Sequence, residues 1–308
     1  MVSIFMSDAT TTNTDSHDKL SMLMAIALGL TAAFIWGAWP VISKLSIDHT
    51  LSAYDLTAFR VGIAGIILLP LIFKNGTGGL GLLRAFILSF GAGAPYMLLA
   101  AGGLNYSTAG HFGVIAPSCM LLTSTIGSWF LFGDRPGAFR LIGLAAILAG
   151  VSLIGWKAFS VLEERQWIGD LMFAGAGVLW AGYTLGTRAW SVTPLQATAL
   201  VPTVSAVFYL PYYFLFVDTK VLATPPLELA LHAGFQGILN AILALLIYTK
   251  VVSILGAARG AVFATTVPGI AVILAFPVLG EVPTSMEITG VVAVSAGMVL
   301  AIGLIKRK

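Results

Sequence analysis

A few polar side chains lie inside long apolar runs of this sequence, where they could bind or relay a charged group. The most prominent is Arg60, about eight residues and roughly 12 Å past the start of its run if that run is helical. A guanidinium there costs at least ~2.5 kcal/mol to insert into hydrocarbon, so it should face protein or a water-filled cavity. Its natural partner is an anionic group on a substrate, or else Asp48 or Asp55. The alternative is that its long stem carries the charge out to the interface.

His111 and Asn240 are two further polar residues of this kind. His111, near the start of its run, could be a hydrogen-bonding ligand or a proton acceptor, or a structural histidine. Asn240 lies in mid-run and needs a partner in hydrocarbon. It could form a polar wall of a cavity or a hydrogen bond between two helices.

Aromatic residues offer a second kind of contact. Trp36, Tyr96, Trp180 and Tyr183, with Trp39 as a further candidate, fall inside apolar runs rather than at their ends. A membrane-interface belt explains such positions poorly, because belt residues lie at the headgroup level. Cavity lining and ordinary core packing both remain open for them.

The acidic and histidine residues restrict the chemistry. Every Asp and Glu lies at the end of an apolar run, in a loop or in a tail, so no carboxylate is available in mid-helix to alternate between a proton and a cationic drug. The four histidines are scattered along the chain, at positions 17, 49, 111 and 232. The sequence therefore predicts no catalytic cluster, metal site or cofactor, and we do not expect an enzyme.

The elements that must position these residues are membrane helices. Hydrophobic residues make up 58% of the 308 residues and charged residues 9%, which is too apolar for a soluble domain. Residues 1–21 are polar and are expected to form a disordered tail. After them come ten apolar runs near the ~20-residue length that spans a bilayer. These runs cover 22–43, 53–73, 82–103, 108–132, 138–157, 168–188, 195–217, 230–250, 257–279 and 287–305.

An internal repeat organises the ten runs. A shift of 147 positions superposes glycines and turn residues of the two halves: Gly113 on Gly260, Gly133 on Gly280, Asp134 on Glu281, Pro136 on Pro283, Gly143 on Gly290 and Gly150 on Gly297. Each half then holds five helices, at 22–157 and 168–308, joined by an outer linker at 158–167. Because five is odd, the second half enters the membrane from the opposite side. The predicted fold class is an all-α integral membrane protein with two inverted five-helix repeats.

Loop charges predict the orientation, since cytoplasmic loops collect Lys and Arg. With the N-terminus inside, the cytoplasmic segments hold eleven basic residues and the outer segments hold four, namely Lys44, Lys157, Arg165 and Lys220. Both termini are therefore expected to be cytoplasmic.

The chain resembles the EamA-type family of the drug/metabolite transporter superfamily from about residue 22 to 306. The resemblance rests on two five-helix halves, each with a Gly-acid turn and a glycine-spaced helix. The residues that carry it are Trp36-Gly37, Phe59-Arg60, Pro70, Ala116-Pro117-Ser118, Gly133-Asp134, Pro268 and Gly280-Glu281.

This resemblance implies a secondary transporter in the cell (inner) membrane, exporting small metabolites such as amino acids. Its partners would be a small-molecule substrate and the lipid bilayer, with no nucleic acid, in a monomer or alternatively a dimer. The candidate cavity residues are Trp36, Arg60, Tyr96, His111, Trp180, Tyr183 and Asn240. Pro95, Pro117 and Pro268 are candidate gating kinks, although they could serve only packing and curvature.

Three other classes of protein are alternatives. A nucleotide-sugar carrier should carry several basic residues inside its helices, and only Arg60 qualifies; a carrier of organic ions would also belong to the same superfamily. A channel would more often repeat a filter sequence, and an intramembrane enzyme would need clustered acids or histidines. For energy coupling, the sequence indicates that the substrate's own gradient drives transport, or that His111 carries the proton.

Overall fold

Ten membrane-spanning helices form the protein. The computed structural model describes residues 7–160 and 165–302, with side chains over 22–156, 165–256 and 259–302, and all regular structure within these ranges is helical. The ten spans predicted from hydropathy are confirmed, so the chain is a multi-pass membrane protein. Numbered α1–α10, they are Met22–His49, Ala53–Asn75, Leu82–Gly103, Ala109–Phe132, Ala138–Trp156, Gln166–Ala189, Pro194–Phe216, Pro226–Leu255, Arg259–Leu279 and Ser285–Ile302.

The segments outside the spans differ from expectation. The first helix begins at Ser7, whereas residues 1–21 were expected to form a disordered tail. A helix that already crosses the membrane lengthens by propagation alone, without a new nucleation step. The linker expected at 158–167 is shorter at both ends, because α5 continues to Ser160 and α6 begins at Gln166. Residues 1–6, 161–164 and the basic end at 303–308 lie outside the described residues.

Successive spans run in opposite directions, so each end of the bundle collects alternate helix termini. We call one end the His111 end; it holds the first residues of α2, α4, α6, α8 and α10. The opposite end holds the turn between α4 and α5, and we call it the Asp134 end.

The same turn closes α4 and α9, one in each half. Gly133 and Gly280 follow these helices in the left-handed conformation, with φ of 72° and 71°. In both turns the glycine amide donates to the carbonyl four residues earlier, and the amide of the next residue, Asp134 or Glu281, donates to the carbonyl six residues earlier. This is the Schellman pattern, which favours glycine because it has no Cβ. The sequence repeat is therefore also a repeat of local structure.

The halves meet directly where α5 crosses α10. A Cβ atom on Gly143 would lie 2.5 Å from the carbonyl oxygen of Gly297, and one on Gly150 would lie 2.6 Å from that of Gly290. Under the 147-residue shift, Gly143 corresponds to Gly290 and Gly150 to Gly297, so exchanging the halves maps each contact onto the other. That symmetry requires antiparallel helices related by a two-fold axis, as in an inverted repeat.

Three spans lose regular α-helical geometry away from their ends. The helix of α3 is interrupted at Gly93, α8 contains a π-helical segment over Gly234–Leu243, and α9 is interrupted at residues 265–266. The 147-residue shift places the interruption of α3 within the π-helical segment of α8, so both halves are irregular at the same depth. Such irregular turns inside helices are frequent at functional sites.

The three prolines proposed as gating kinks have different settings. Pro95 and Pro268 each lie in the first turn of the helical segment that follows an interruption, where a proline's missing N–H costs no hydrogen bond. Pro117 lies inside the continuous helix of α4. The structure thus associates two of the three with breaks in a helix, and their role in gating stays a prediction.

The α5–α10 crossing provides a test of the fold. We expect Gly143→Ala to lower the free energy of unfolding by about 1–3 kcal/mol, because the added methyl group would collide with backbone that cannot rotate away. The measurement is the thermal unfolding midpoint of the purified protein in detergent.

Gly182→Ala is the matched control for that variant. Gly182 lies in α6 with no atom within 4 Å of its added Cβ, and alanine is the better helix former, so its midpoint should stay equal or rise. Equal losses in both variants would contradict the close crossing.

Candidate functional site

A cavity of about 480 Å³ lies between the two halves, a volume typical of small-molecule sites. Its walls come from α1–α4 and α6–α9, and no described residue of α5 or α10 lines it. It borders the irregular turns at Gly93 of α3 and Asn240 of α8. Six of the seven residues predicted for the site line this cavity: Trp36, Arg60, Tyr96, Trp180, Tyr183 and Asn240.

Arg60 lies on the cavity wall, partly buried. Its Nη1 donates to Oδ1 of Asn240 at 2.6 Å, which uses one of the five N–H groups of a guanidinium. The two carboxylates proposed as partners of Arg60 bond to other residues. Asp48 pairs with Lys44 at 2.9 Å, and Asp55 accepts from Tyr213 at 2.5 Å. Across the described chain, no carboxylate forms an ion pair with Arg60.

Asn240 carries an unmatched donor group beside this arginine. The residue is 4% exposed, and its amide nitrogen Nδ2 has no hydrogen-bond partner among the described residues. The sequence offered two alternatives for Asn240, a cavity wall and an interhelical hydrogen bond. Both are present in the structure. Oδ1 of Asn240 accepts from Arg60 of α2, and Asn240 also lines the cavity.

Aromatic rings cover much of the remaining wall. Trp36 packs against Tyr248 with 5.2 Å between ring centroids, Tyr96 against Trp180 at 4.7 Å, and Trp180 against Tyr183 at 5.6 Å. The last two pairs are edge to face, an arrangement that suits the ring quadrupoles. Such walls provide apolar contact and, where a ring face is open, attraction for a cation.

Some lining residues were missed by sequence reasoning. Tyr248 and Phe112 both line the cavity, together with the hydroxyl-bearing Thr184 and Thr198. Tyr248 was overlooked because the apolar run was read as ending at residue 250, whereas α8 continues to Leu255. With the correct boundary, Tyr248 lies about two helical turns inside the helix, where the criterion used for Tyr96 would have selected it.

His111 lies outside the cavity wall, in a buried polar cluster at the His111 end. Its Nδ1 is 2.9 Å from Oδ1 of Asp170 on α6, and its Nε2 is 3.1 Å from Oε1 of Glu287 on α10. Asp170 also accepts from Ser107 at 2.6 Å, and Glu281 accepts from the first backbone amides of α4. Ionised carboxylates only accept hydrogen bonds, so a histidine that bonds to both must donate from both nitrogens, as an imidazolium does.

A second set of polar bonds joins α1 to α8 at the same end. Along each helix, the residues that form these bonds follow one another at intervals of about one turn, and Thr50 directly follows the last residue of α1. The bonds are Trp39 Nε1 to Gln236 Oε1 (2.7 Å), Gln236 Nε2 to Ser43 Oγ (2.9 Å), Ser46 with His232 (3.1 Å) and Thr50 to Glu228.

Apolar packing also fills the His111 end. The rings of Trp39, Phe112 and Phe173 form a continuous contact from α1 through α4 to α6, with centroid distances of 4.9 and 5.2 Å. Met97 of α3 and Leu104, which directly follows that helix, are fully buried in the same cluster. This cluster, with the polar bonds above, closes the cavity towards the His111 end.

The ion pair described at the Asp134 end is partly exposed. Arg188 donates to Asp134 and to Ser128, but the Arg188 and Asp134 side chains are about half exposed. The hydrogen bond from Arg188 holds the pKa of Asp134 below its usual range. An exposed pair of this kind adds little stability. Along α7 the cavity wall reaches Ala197, within the first turn at this end.

Comparison with known proteins identifies the family of this chain. The model of the EamA-like transporter family matches residues 23–156 and again residues 167–303, one match for each five-helix half. The chain belongs to the EamA-like transporter family.

Two proteins similar to this EamA-like protein share about a fifth of its sequence. It is 22% identical over 295 residues to the uncharacterized transporter YetK of Bacillus subtilis (strain 168). The aligned region covers 92% of this chain and 88% of the relative. A protein of known crystal structure shares the fold with a TM-score of 0.56 and 19% identity, over 91% of this chain and 99% of the other. These comparisons support a transporter function and do not identify its substrate.

Proposed function

We propose that this EamA-like protein is a secondary transporter that exports small metabolites, such as amino acids, across the cell (inner) membrane. The observation that carries the proposal is the cavity between the two inverted halves, lined by eight helices and closed at one end. Inverted repeats of this kind place substrate sites at their interface and expose them alternately to the two sides. The export direction follows from analogy with the family alone, and we assign no catalysis.

The orientation supports a cavity that faces the cytoplasm. With both termini inside, as the basic residues of the loops indicate, the His111 end is the outer end. The buried cluster around Trp39, Phe112 and Phe173 then separates the cavity from the outside. A cavity closed on that side is the state in which an exporter takes up its cargo.

His111 fits a role in energy coupling better than its sequence position indicated. Asp170 and Glu287 both bond to its ring, and Glu281 accepts from the first backbone amides of α4, so three carboxylates meet α4 at the outer end. Loss of the ring proton of His111 would break both ion pairs of the closure, and its return from an acidic exterior would restore them. We therefore include proton coupling through His111 in the proposal.

The orientation can be tested with single cysteines in a Cys119→Ser background. We expect Asp218→Cys, in the exposed loop after α7, to react with a membrane-impermeant maleimide in intact cells. Gly137→Cys, in the exposed turn after α4, should react only after permeabilisation. The reverse pattern would refute cytoplasmic termini.

Substrate class can be tested by counterflow in proteoliposomes. We expect radiolabelled amino acids to exchange in liposomes that contain the protein well above the rate in empty liposomes. A parallel panel of nucleotide sugars and organic cations should show no exchange. Movement of one of those compounds, with no movement of any amino acid, would refute the amino-acid assignment and retain the transporter.

Coupling can be tested with His111→Gln, which keeps hydrogen-bonding capacity but cannot become charged. We expect an imposed pH gradient to drive substrate accumulation by the wild type and not by the variant, whereas counterflow without a gradient persists in both. Asp134→Asn, at the other end and exposed, should accumulate substrate like the wild type. Accumulation by the His111 variant, or none by the wild type, would refute this role.

A further inference from the structure

Arg60 and Asn240 together leave a set of hydrogen-bond donors without matching acceptors on the cavity wall. Arg60 bonds to a neutral amide oxygen rather than to a carboxylate. The other arm of that amide, Nδ2 of Asn240, is buried and unpaired among the described atoms. A buried donor without a partner destabilises the folded protein, so a persistent arrangement of this kind calls for an explanation.

The backbone holds the two residues in place. A Cβ atom on Gly237, one turn before Asn240, would lie 2.5 Å from Cβ of Ile63 and 3.0 Å from the carbonyl oxygen of Phe59. The backbones of α2 and α8 are therefore in contact next to the pair. The π-helical geometry of α8 includes Asn240 itself, and its Oδ1 is already committed to Arg60. Preorganised donors of this kind suit recognition of a fixed group.

The rest of the wall sets the charge preference of the cavity. Among the described lining residues, Arg60 is the one permanently charged group, and no Asp or Glu lines the cavity. The remaining surface consists mainly of aromatic and small apolar side chains. A cationic amine without an acidic group would thus meet a guanidinium and no counter-charge.

We propose that Arg60, held in place by Asn240, forms the docking site for a carboxylate on the transported solute, with the guanidinium donating to its oxygens. This inference rests on the proposed function and names the chemical class of its substrate. An ionised carboxylate accepts several hydrogen bonds and pairs well with a guanidinium. The rest of the solute, including an ammonium group if it has one, lies against the aromatic walls, where ring faces attract cations.

Matched ligands test the carboxylate directly. Each of a set of neutral amino acids is compared with its carboxamide, which has nearly the same shape but no negative charge. Binding is read from the thermal unfolding midpoint of the full chain in detergent at rising ligand concentration. We expect at least one acid to bind the wild type about tenfold or more tightly than its amide, as charge-assisted hydrogen bonds require.

Two variants assign the preference to the proposed residues. Arg60→Gln should abolish the difference between acid and amide. Asn240→Asp places a carboxylate beside the guanidinium, so it should raise the unfolding midpoint without ligand and remove the response to acids. Higher stability together with lost binding separates this result from misfolding. Arg84→Gln, an exposed arginine outside the cavity, should behave like the wild type.

Several outcomes would overturn the inference. Amides that bind as well as acids would do so, as would an acid preference that survives in Arg60→Gln or Asn240→Asp, or a wild type that responds to no acid. Counterflow of a neutral or cationic compound in the same preparation would then show that the protein transports solutes but does not select a carboxylate. Absence of any counterflow would instead count against the transporter function.

Discussion

Hydrocarbon provides no hydrogen bonds, and this constraint explains where the polar side chains of the protein lie. A polar group in a membrane helix must find a partner on another helix or face water. At the His111 end the chain meets this requirement with bonds between α1 and α8, between α2 and α7, and among α4, α6 and α10. On the cavity wall it does not, because Arg60 and Asn240 keep unused donors. Among the described residues, Ser118, Ser124 and Arg140 also carry a buried polar atom without a partner, but none of these three lines the cavity, whereas Arg60 and Asn240 do.

The two halves share a backbone plan but differ in their polar residues. The turn glycines Gly133 and Gly280 adopt the same conformation, yet the acids that follow them act differently. Asp134 forms an exposed pair with Arg188, whereas Glu281 accepts from the first amides of α4, where the positive end of the helix dipole favours an anion. An inverted backbone alone would make both ends of the bundle alike. The side chains therefore differ between the ends, with a buried polar cluster at the His111 end and a partly exposed ion pair at the Asp134 end.

Sequence reasoning reached most of the fold and much of the cavity, for physical reasons that also explain its failures. Spans follow from the length and apolarity that a bilayer demands, and glycine spacing is visible because only glycine permits the contact of Gly143 with Gly297. Arg60 and Asn240 stood out because polar residues in mid-membrane are costly. The cluster of His111 with Asp170 and Glu287 was missed, since its members lie far apart in the chain and each acid looked like an ordinary helix-end residue. Only the tertiary fold shows that three helix ends converge there.

The interrupted helices surround the cavity, whereas α5 and α10 are continuous and closely packed against each other. α5 and α10 contact each other through backbone at two glycine pairs, so sliding or tilting one against the other would break close packing. Every interruption described within a span belongs instead to α3, α8 or α9, and each adjoins the cavity through Gly93, Asn240 or Ala264. Breaks in the backbone ladder let a helix bend without losing its remaining hydrogen bonds. The described interruptions therefore adjoin the cavity, where α8 is still held against α2 at Gly237, while the α5–α10 pair joins the two halves through backbone contact.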